Sequence, residues 1–304
     1  MTAPLGRAVV IVNVRAGRFG RDPARLGALL ASSGLDHVVR PTRYAGHAVD
    51  LAREAVADGE TFLVAVGGDG TIQEVVNGMM GPAGPHNPEA VLGIVSAGSG
   101  SDFTRTFDLP RRPAQAAVTL AGSATRAVDL GRVTYRQDGA IRTRYFANIA
   151  QAGIGGEIAE RAQRLPRSLG RARYLVGFGL GLTSFAVAQA RITLDDRELS
   201  ADMTDLIVAN AQYFGGGMRI VPGADPGDGT LDVLVVKGRK RDYVAVIGKL
   251  YRGRHLPSPH IEEYRARRVA IDASQPLRVE ADGEILGTTP AVFEVVGGAL
   301  RLKV

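Results

Sequence analysis

Residues 61–80 read TFLVAVGGDGTIQEVVNGMM. The opening residues form an apolar run short enough for a buried strand, residues 71–80 place apolar side chains at helical spacing, and Gly67, Gly68, Asp69 and Gly70 lie between. A strand that turns on consecutive glycines into a helix starting at Thr71 brings backbone N–H groups and the positive end of the helix dipole to one place. Such a place suits the phosphates of a nucleotide. A tight strand-to-helix turn can also require glycine for backbone reasons alone, so the glycines leave both readings open. The longer string GGDGTIQEVVNG is far more specific.

Outward from this segment, Ala8–Asn13, His37–Pro41, Thr61–Val66 and Val91–Ala97 read as strands, separated by helix-like stretches at about residues 22–33, 45–58 and 71–80. Strands alternating with helices predict a layered α/β domain with a parallel sheet. From about Val128 the pattern changes to short β-rich segments: Arg144–Ile149, Arg191–Leu194, Leu206–Ala209, Leu231–Val236, Arg268–Asp272 and Leu277–Glu280. These predict a β-sandwich, interrupted by a helical insertion at Leu169–Gln189 and a helix at Tyr243–Tyr251. The expected domains are 1–126 and 127–298, with Gly122–Arg126 as a short hinge and residues 299–304 as a strand that could rejoin the first domain. So short a hinge implies close packing around a shared cleft, the expected place of the active site.

A chain of 304 residues has room for two ordinary cores, and 45% hydrophobic with 22% charged residues is the composition of a globular protein. No cysteine is present. Disulfides, thiolate nucleophiles and cysteine-ligated metals are thereby excluded, and a reducing cytoplasmic location is expected. The N-terminal apolar run is too short for a signal peptide, and the uncharged stretch between Arg173 and Arg191, broken by Gly177, Gly179 and Gly181, falls short of a spanning helix. The net charge is +6, with arginines clustered at Arg161–Arg173, Arg239–Arg241, Arg252–Arg254 and Arg265–Arg268. With 6% aromatic residues and no tryptophan, there is little to stack on bases, so no nucleic-acid partner is expected. Phosphate groups or anionic phospholipid suit the arginines at least as well, and so does an ordinary solvated surface.

GGDGT followed by EVVNG resembles the diacylglycerol kinase catalytic fold, shared with sphingosine and ceramide kinases, and the resemblance covers nearly the whole chain. It implies a Rossmann-like α/β N-terminal domain of the NAD kinase and diacylglycerol kinase type, plus a C-terminal β-sandwich domain. Where the family has a motif like NPxSG after its first strand, this chain has Asn13, Val14, Arg15, Ala16 and Gly17, keeping the Asn and Gly. Where the family runs GTxNDFAR, this chain has GSGSDFTR, with Ser99 retaining a hydroxyl and Ser101 replacing the Asn. Thr42 matches a threonine that contacts nucleotide in bacterial members, though such a residue is also an ordinary cap. The resemblance further implies that Gly67, Gly68, Asp69, Gly70 and Thr71 bind ATP, with Asp69 helping to hold magnesium and phosphate near the transferred group.

In VPGADPGDGTLDV, Asp225 and Asp228 sit three residues apart in a Gly/Pro-rich turn, compatible with either an Asx-type turn or a hard-cation loop. The resemblance implies a structural Mg2+ held by Asp225, Asp228 and the carbonyl of Thr230. In LRVEADGEIL, the Asp-Gly pair is by itself a hairpin signal. The family's DGE motif falls here, which implies Asp282 as general base for a lipid hydroxyl and Glu284 beside nucleotide and metal. The expected reaction is transfer of the γ-phosphate of ATP, with Mg2+, to diacylglycerol or a related lipid by a cytoplasmic enzyme peripheral to the inner face of a membrane. Leu175, Phe178, Leu180, Leu182 and Phe185 could wall a lipid pocket or simply pack the core. A soluble-metabolite kinase of the NAD kinase superfamily and a nonenzymatic nucleotide- or lipid-binding protein are the alternatives, and a homodimer is left open.

Overall fold

The computed structural model describes residues 5–98, 101–166, 169, 172–181 and 186–304. They form two compact units, Met1–Asp129 with Gly298–Val304, and Leu130–Gly297.

Unit 1 contains, in chain order, β1 (Ala8–Val12), α1 (Gly17–Arg21), α2 (Pro23–Ser32), β2 (His37–Pro41), α3 (His47–Ala57), β3 (Phe62–Gly67) and α4 (Asp69–Met79). A small hairpin, β4 (Met80–Gly81) with β5 (Gly84–Pro85), precedes β6 (Val91–Ser96), α5 (Asp102–Thr106) and α6 (Pro113–Ala121). The strands β2, β1, β3 and β6 lie side by side in parallel, and Arg301–Leu302 add a further parallel pairing to Val91–Leu92. The inner strands AVVIV and FLVAVG are buried at every position, as expected of parallel strands covered on both faces. Leu26 and Leu30 of α2 and Leu120 of α6 pack with Val10, Val64 and Val95 in one core. Helix α2 starts where Asp22 accepts the Arg25 N–H ahead of Pro23 at the first turn.

The EVVNG string gains a structural account from this packing. Glu74 accepts the N–H groups of Gly46 and Ala48 at 3.2 and 3.3 Å, closing the exposed amides at the start of α3. A Cβ on Gly78 would stand 2.3 Å from the carbonyl oxygen of Val49 and 2.6 Å from Cβ of Ala52, so α3 and α4 touch at a point that admits no side chain.

Unit 2 is the C-terminal β-sandwich. Its elements are β7 (Thr125–Gln137, entered from unit 1), β8 (Ala140–Phe146), β9 (Ile149–Gly153), α7 (Ile154–Arg164), α8 (Ala172–Gly181), β10 (Ala188–Leu194), β11 (Arg197–Met203) and β12 (Asp205–Ala209). A short hairpin of β13 (Tyr213–Phe214) and β14 (Met218–Arg219) leads to β15 (Leu231–Val236), α9 (Lys240–Leu250), β16 (Ile261–Ala266), β17 (Arg268–Ala273), β18 (Arg278–Ala281) and β19 (Glu284–Lys303). Antiparallel pairing runs in the order β16, β15, β12, β9, β18, β19, with β10 joining β11 to β17. Two-residue alternation divides the central strands. Ala150, Ala152, Leu206, Val208, Val233, Val235, Val279 and Ala281 enter the sandwich core. Ile149, Gln151, Asp205, Ile207, Leu234, Val236 and Glu280 fall at the intervening positions and so occupy the opposite face.

One strand expectation needs correction. Arg144–Ile149 is not one strand: β8 stops at Phe146 and β9 starts at Ile149, because the amides of residues 147–149 are drawn to the Asp282 carboxylate. The two units divide after Asp129, close to the expected boundary at residue 126, and β7 begins at Thr125 within the expected hinge. Among the described residues no helix is long and apolar enough to cross a membrane.

Candidate active site

In unit 1, the residues singled out by sequence follow the C-terminal ends of the parallel strands, where ligands of open α/β sheets bind. Asn13 follows β1, Thr42 follows β2, and Gly68–Thr71 follow β3. Asn13 Nδ2 donates to Thr71 Oγ1 at 2.9 Å, and Asn13 Oδ1 accepts the Arg15 N–H at 3.0 Å, tying the first loop to the start of α4. Thr42 is buried, and its N–H donates to the Val12 carbonyl at 2.8 Å. Gly17 takes a left-handed φ of 58°, and a Cβ there would lie 2.8 Å from the Ala97 carbonyl oxygen.

The glycines of the second and third loops meet. A Cβ on Gly98 would stand 2.5 Å from Cα of Gly68, and one on Gly67 would stand 2.3 Å from Thr71 Oγ1. Two loops in backbone-to-backbone contact can present only N–H and C=O groups there, the chemistry of a phosphate cradle. Ser99 lies outside the described residues.

Asp69 joins the second loop to the third: its Oδ1 accepts the Phe103 N–H at 3.2 Å at the start of α5. Burial raises the Asp69 pKa above the ordinary carboxylate value, and the amides of Phe103, Asp102 and Ser101 oppose that shift. Ser101 holds φ at 58° and shares a 2.9 Å hydrogen bond with Ser96 Oγ. The Asn of the similar motif is a residue type that tolerates this left-handed conformation far better than serine does.

In unit 2, Asp282 directly follows β18 and holds φ at 49°. Its carboxylate accepts three backbone N–H groups, from Ala147 at 2.7 Å, Asn148 at 3.0 Å and Ile149 at 3.1 Å. Those bonds lock its orientation. Glu284, two residues on, pairs with Arg144 at 2.7 Å. Asp228 Oδ1 accepts both the N–H and the hydroxyl of Thr230 at 3.0 and 2.8 Å, and its Oδ2 pairs with Arg265. The donor set of two carboxylates and a carbonyl suits a hard cation. Among the described residues, however, no three acidic or histidine side chains converge on one point, and Asp228 Oδ2 is paired with Arg265.

The structure adds a buried polar group that the sequence reading passed over. Gln151 Nε2 donates to Glu280 Oε2 at 2.9 Å, Gly283 N–H donates to Glu280 Oε1, and Asp205 lies across β9 from them. Burial pushes the pKa values of both Glu280 and Asp205 well above the ordinary range, and the neighbouring Asp282 and Asp205 carboxyls add to the Glu280 shift. The available signal was one polar residue in each of the otherwise apolar strands IAQAG and DLIVA, and a glutamate between apolar neighbours in RVEA. Above this face lies a cavity of about 130 Å³, walled by residues of β9, β12, β15, α7, α8 and α9. Phe178 lines it, whereas Leu180 is 43% exposed. Leu182 and Phe185 lie outside the described residues, as does the Leu175 side chain.

Comparison with known proteins matches residues 7–133 to the diacylglycerol kinase catalytic domain and residues 148–304 to the YegS C-terminal NAD kinase beta sandwich-like domain. A curated "Diacylglycerol kinase" of Bacillus subtilis (strain 168) is 29% identical over 293 residues, covering 94% of this chain and 92% of its own. A "Probable lipid kinase YegS-like" of Pseudomonas aeruginosa (strain UCBPP-PA14) is 32% identical over 298 residues, covering 96% and 93%. Among solved structures, a diacylglycerol kinase from Bacillus anthracis str. Sterne superposes with a TM-score of 0.74 at 24% identity, over 98% of this chain and 96% of that one, a likeness of fold.

Proposed function

The chain belongs to the bacterial diacylglycerol and YegS-like lipid kinase family, and from that premise we propose that it transfers the γ-phosphate of ATP to the hydroxyl of diacylglycerol or a related lipid. One observation carries the lipid half of this reading. Ile149 donates its N–H to the Asp282 carboxylate, and its side chain lines the apolar cavity of unit 2. A positioned carboxylate thus adjoins a cavity suited to hydrocarbon, which a kinase of soluble, charged metabolites would not need.

In this reading unit 1, Rossmann-like in its use of strand ends and glycine turns, binds ATP. Gly67, Gly68 and Gly70 offer backbone N–H groups to the phosphates, Asn13 and Thr71 hold the first two loops in register, and Gly17, Thr42 and Ser99 complete the nucleotide contacts. Asp69 keeps the third loop in place from a position beside the phosphates. Asp282 orients the acceptor hydroxyl and takes its proton, and three fixed N–H donors favour that role because a general base must be positioned before it can act. Glu284, two residues after Asp282 and held by Arg144, acts beside nucleotide and metal. Magnesium, when bound, neutralises phosphate charge. Asp225, Asp228 and the Thr230 carbonyl would hold a structural Mg2+ once Arg265 gives way. Action at the cytoplasmic face of a membrane, on or beside anionic phospholipid, is the finer part of the proposal. The arginine clusters and the exposed Val176 and Leu180 of α8 support it.

The test is transfer of labelled phosphate from Mg-ATP to lipids in mixed micelles, with NAD and sugar phosphates as soluble acceptors, by wild type and Asp282→Asn. A labelled lipid that disappears in a variant still folded by circular dichroism supports both reaction and base. Label on a soluble acceptor with none on lipid overturns the reading.

A further inference from the structure

The unit 2 cavity is apolar along Ile158, Phe178, Ile207, Met218, Val236 and Leu250, yet polar side chains also line it, and three of them, Gln151, Asp205 and His255, are buried. Their exposures are 7%, 3% and 4%, so water does not satisfy them from outside. Gln151 is bonded to Glu280. His255 Nε2 lies 2.9 Å from the Ile220 carbonyl and donates to it, which leaves Nδ1 as an acceptor, and among the described residues that nitrogen has no partner. Asp205 Oδ1 has none either. Two buried polar atoms unsatisfied in one cavity call for an explanation.

The surroundings of Asp205 are shaped to leave it there. A Cβ on Gly153 would come within 2.9 Å of Asp205 Oδ1, and one on Gly155 within 2.7 Å of Oδ2, so glycine on both sides of the β9–α7 junction makes room for the carboxyl group. Among the described residues no lysine or arginine lines the cavity. Burial raises the Asp205 pKa well above the ordinary value against the opposing amides of Gly155 and Leu206, which favours the neutral acid, and in that form the unpartnered oxygen would donate a hydrogen bond. A donor inside an apolar cavity fits a chain that is hydrocarbon except for one neutral oxygen.

We infer that the cavity takes the hydrocarbon part of the acceptor lipid and that Asp205 selects lipids bearing a neutral oxygen acceptor there, an ester carbonyl or an oxygen further along the chain. The identity of the occupant rests on the lipid-kinase reading above; the selectivity of Asp205 does not. An ether-linked chain lacks the carbonyl oxygen that the donor would reach, and a wholly hydrocarbon chain offers it no acceptor at all. That predicts roughly a 10-fold to 100-fold preference for the oxygen-bearing lipid.

The experiment measures binding and phosphate transfer side by side for dioleoylglycerol, its dioleyl ether analogue and diricinoleoylglycerol in the same detergent micelles. Wild type, Asp205→Leu and Asp205→Asn are compared, each checked for folding by thermal melt. A diester-over-diether ratio that collapses toward unity in Asp205→Leu and is largely kept by the donor-retaining Asp205→Asn supports the inference with the carbonyl as the group bound. A ricinoleoyl-over-oleoyl ratio that behaves the same way supports it with the chain oxygen. If such ratios appear in binding while no lipid is phosphorylated, the inference stands and the kinase reading falls. If neither ratio depends on Asp205, in binding or in turnover, or if none of the lipids binds, the inference is overturned.

Discussion

Replacing Asp282 has two separable consequences, and the structure sets the size of the first. The carboxylate accepts amides at 2.7, 3.0 and 3.1 Å from three consecutive residues that are themselves buried. A hydrogen bond to a charged group contributes about 1.5–3 kcal/mol. Asp282→Ala leaves three amides without an acceptor, so even with strong non-additivity the loss is about 4 kcal/mol or more. Asp282→Asn keeps one carbonyl oxygen and suits the left-handed φ of 49°, so its cost is about 2–3 kcal/mol. Against a typical total of about 5–15 kcal/mol, the Asn variant stays folded at 25 °C while the Ala variant is marginal. Urea unfolding of the three proteins followed by circular dichroism checks the order. An Ala variant within about 0.5 kcal/mol of wild type would refute the claim that Asp282 holds the break between β8 and β9. The catalytic consequence is read on the Asn variant, whose activity loss then cannot be assigned to unfolding.

Three further outcomes are expected. Gly78→Ala forces α3 and α4 apart, because the new Cβ would meet the Val49 backbone at 2.3 Å; a loss of about 2–3 kcal/mol is expected, and a melting temperature equal to wild type would contradict it. Ser101→Asn relieves left-handed strain at φ 58° and gains about 0.5–1 kcal/mol, visible as a higher urea midpoint; a lower one would show that the bond to Ser96 matters more. Asp205 and Glu280 keep their protons to higher pH in the folded chain than in the unfolded one. Their stability is therefore complete below an ordinary carboxylate pKa of about 4 and declines as pH rises toward the folded values, by about 1.4 kcal/mol per pH unit for each group. The double variant Asp205→Asn, Glu280→Gln should flatten the urea-midpoint profile between about pH 4 and 7; parallel profiles would count against buried, protonated carboxyls.

The α/β half was legible because its strands are buried on both faces and read as unbroken apolar runs, with His37–Pro41 matching β2 residue for residue. Boundaries failed where a distant residue decides them. Nothing near Ala147 announces that Asp282, 135 residues later, will take its amide and end a strand. The role of Gly78 was likewise hidden, since only the tertiary approach of α3 shows why a helix interior should tolerate glycine. Asp282 was singled out through a motif, but its three amide partners were not visible in the sequence. Asp205 and Glu280 were missed because one polar residue in an apolar strand looks like noise until adjacent strands bring several of them together.

Strand β19 bears on the order in which the chain can fold during synthesis. Residues 130–297 are complete when Gly297 leaves the ribosome, whereas the sheet built around β1, β3 and β6 still waits for Arg301 and Leu302 to pair with Val91 and Leu92. The half made first is thus finished last. Until then Val91 and Leu92 present an open strand edge, the kind of surface that nascent chains shield with chaperones.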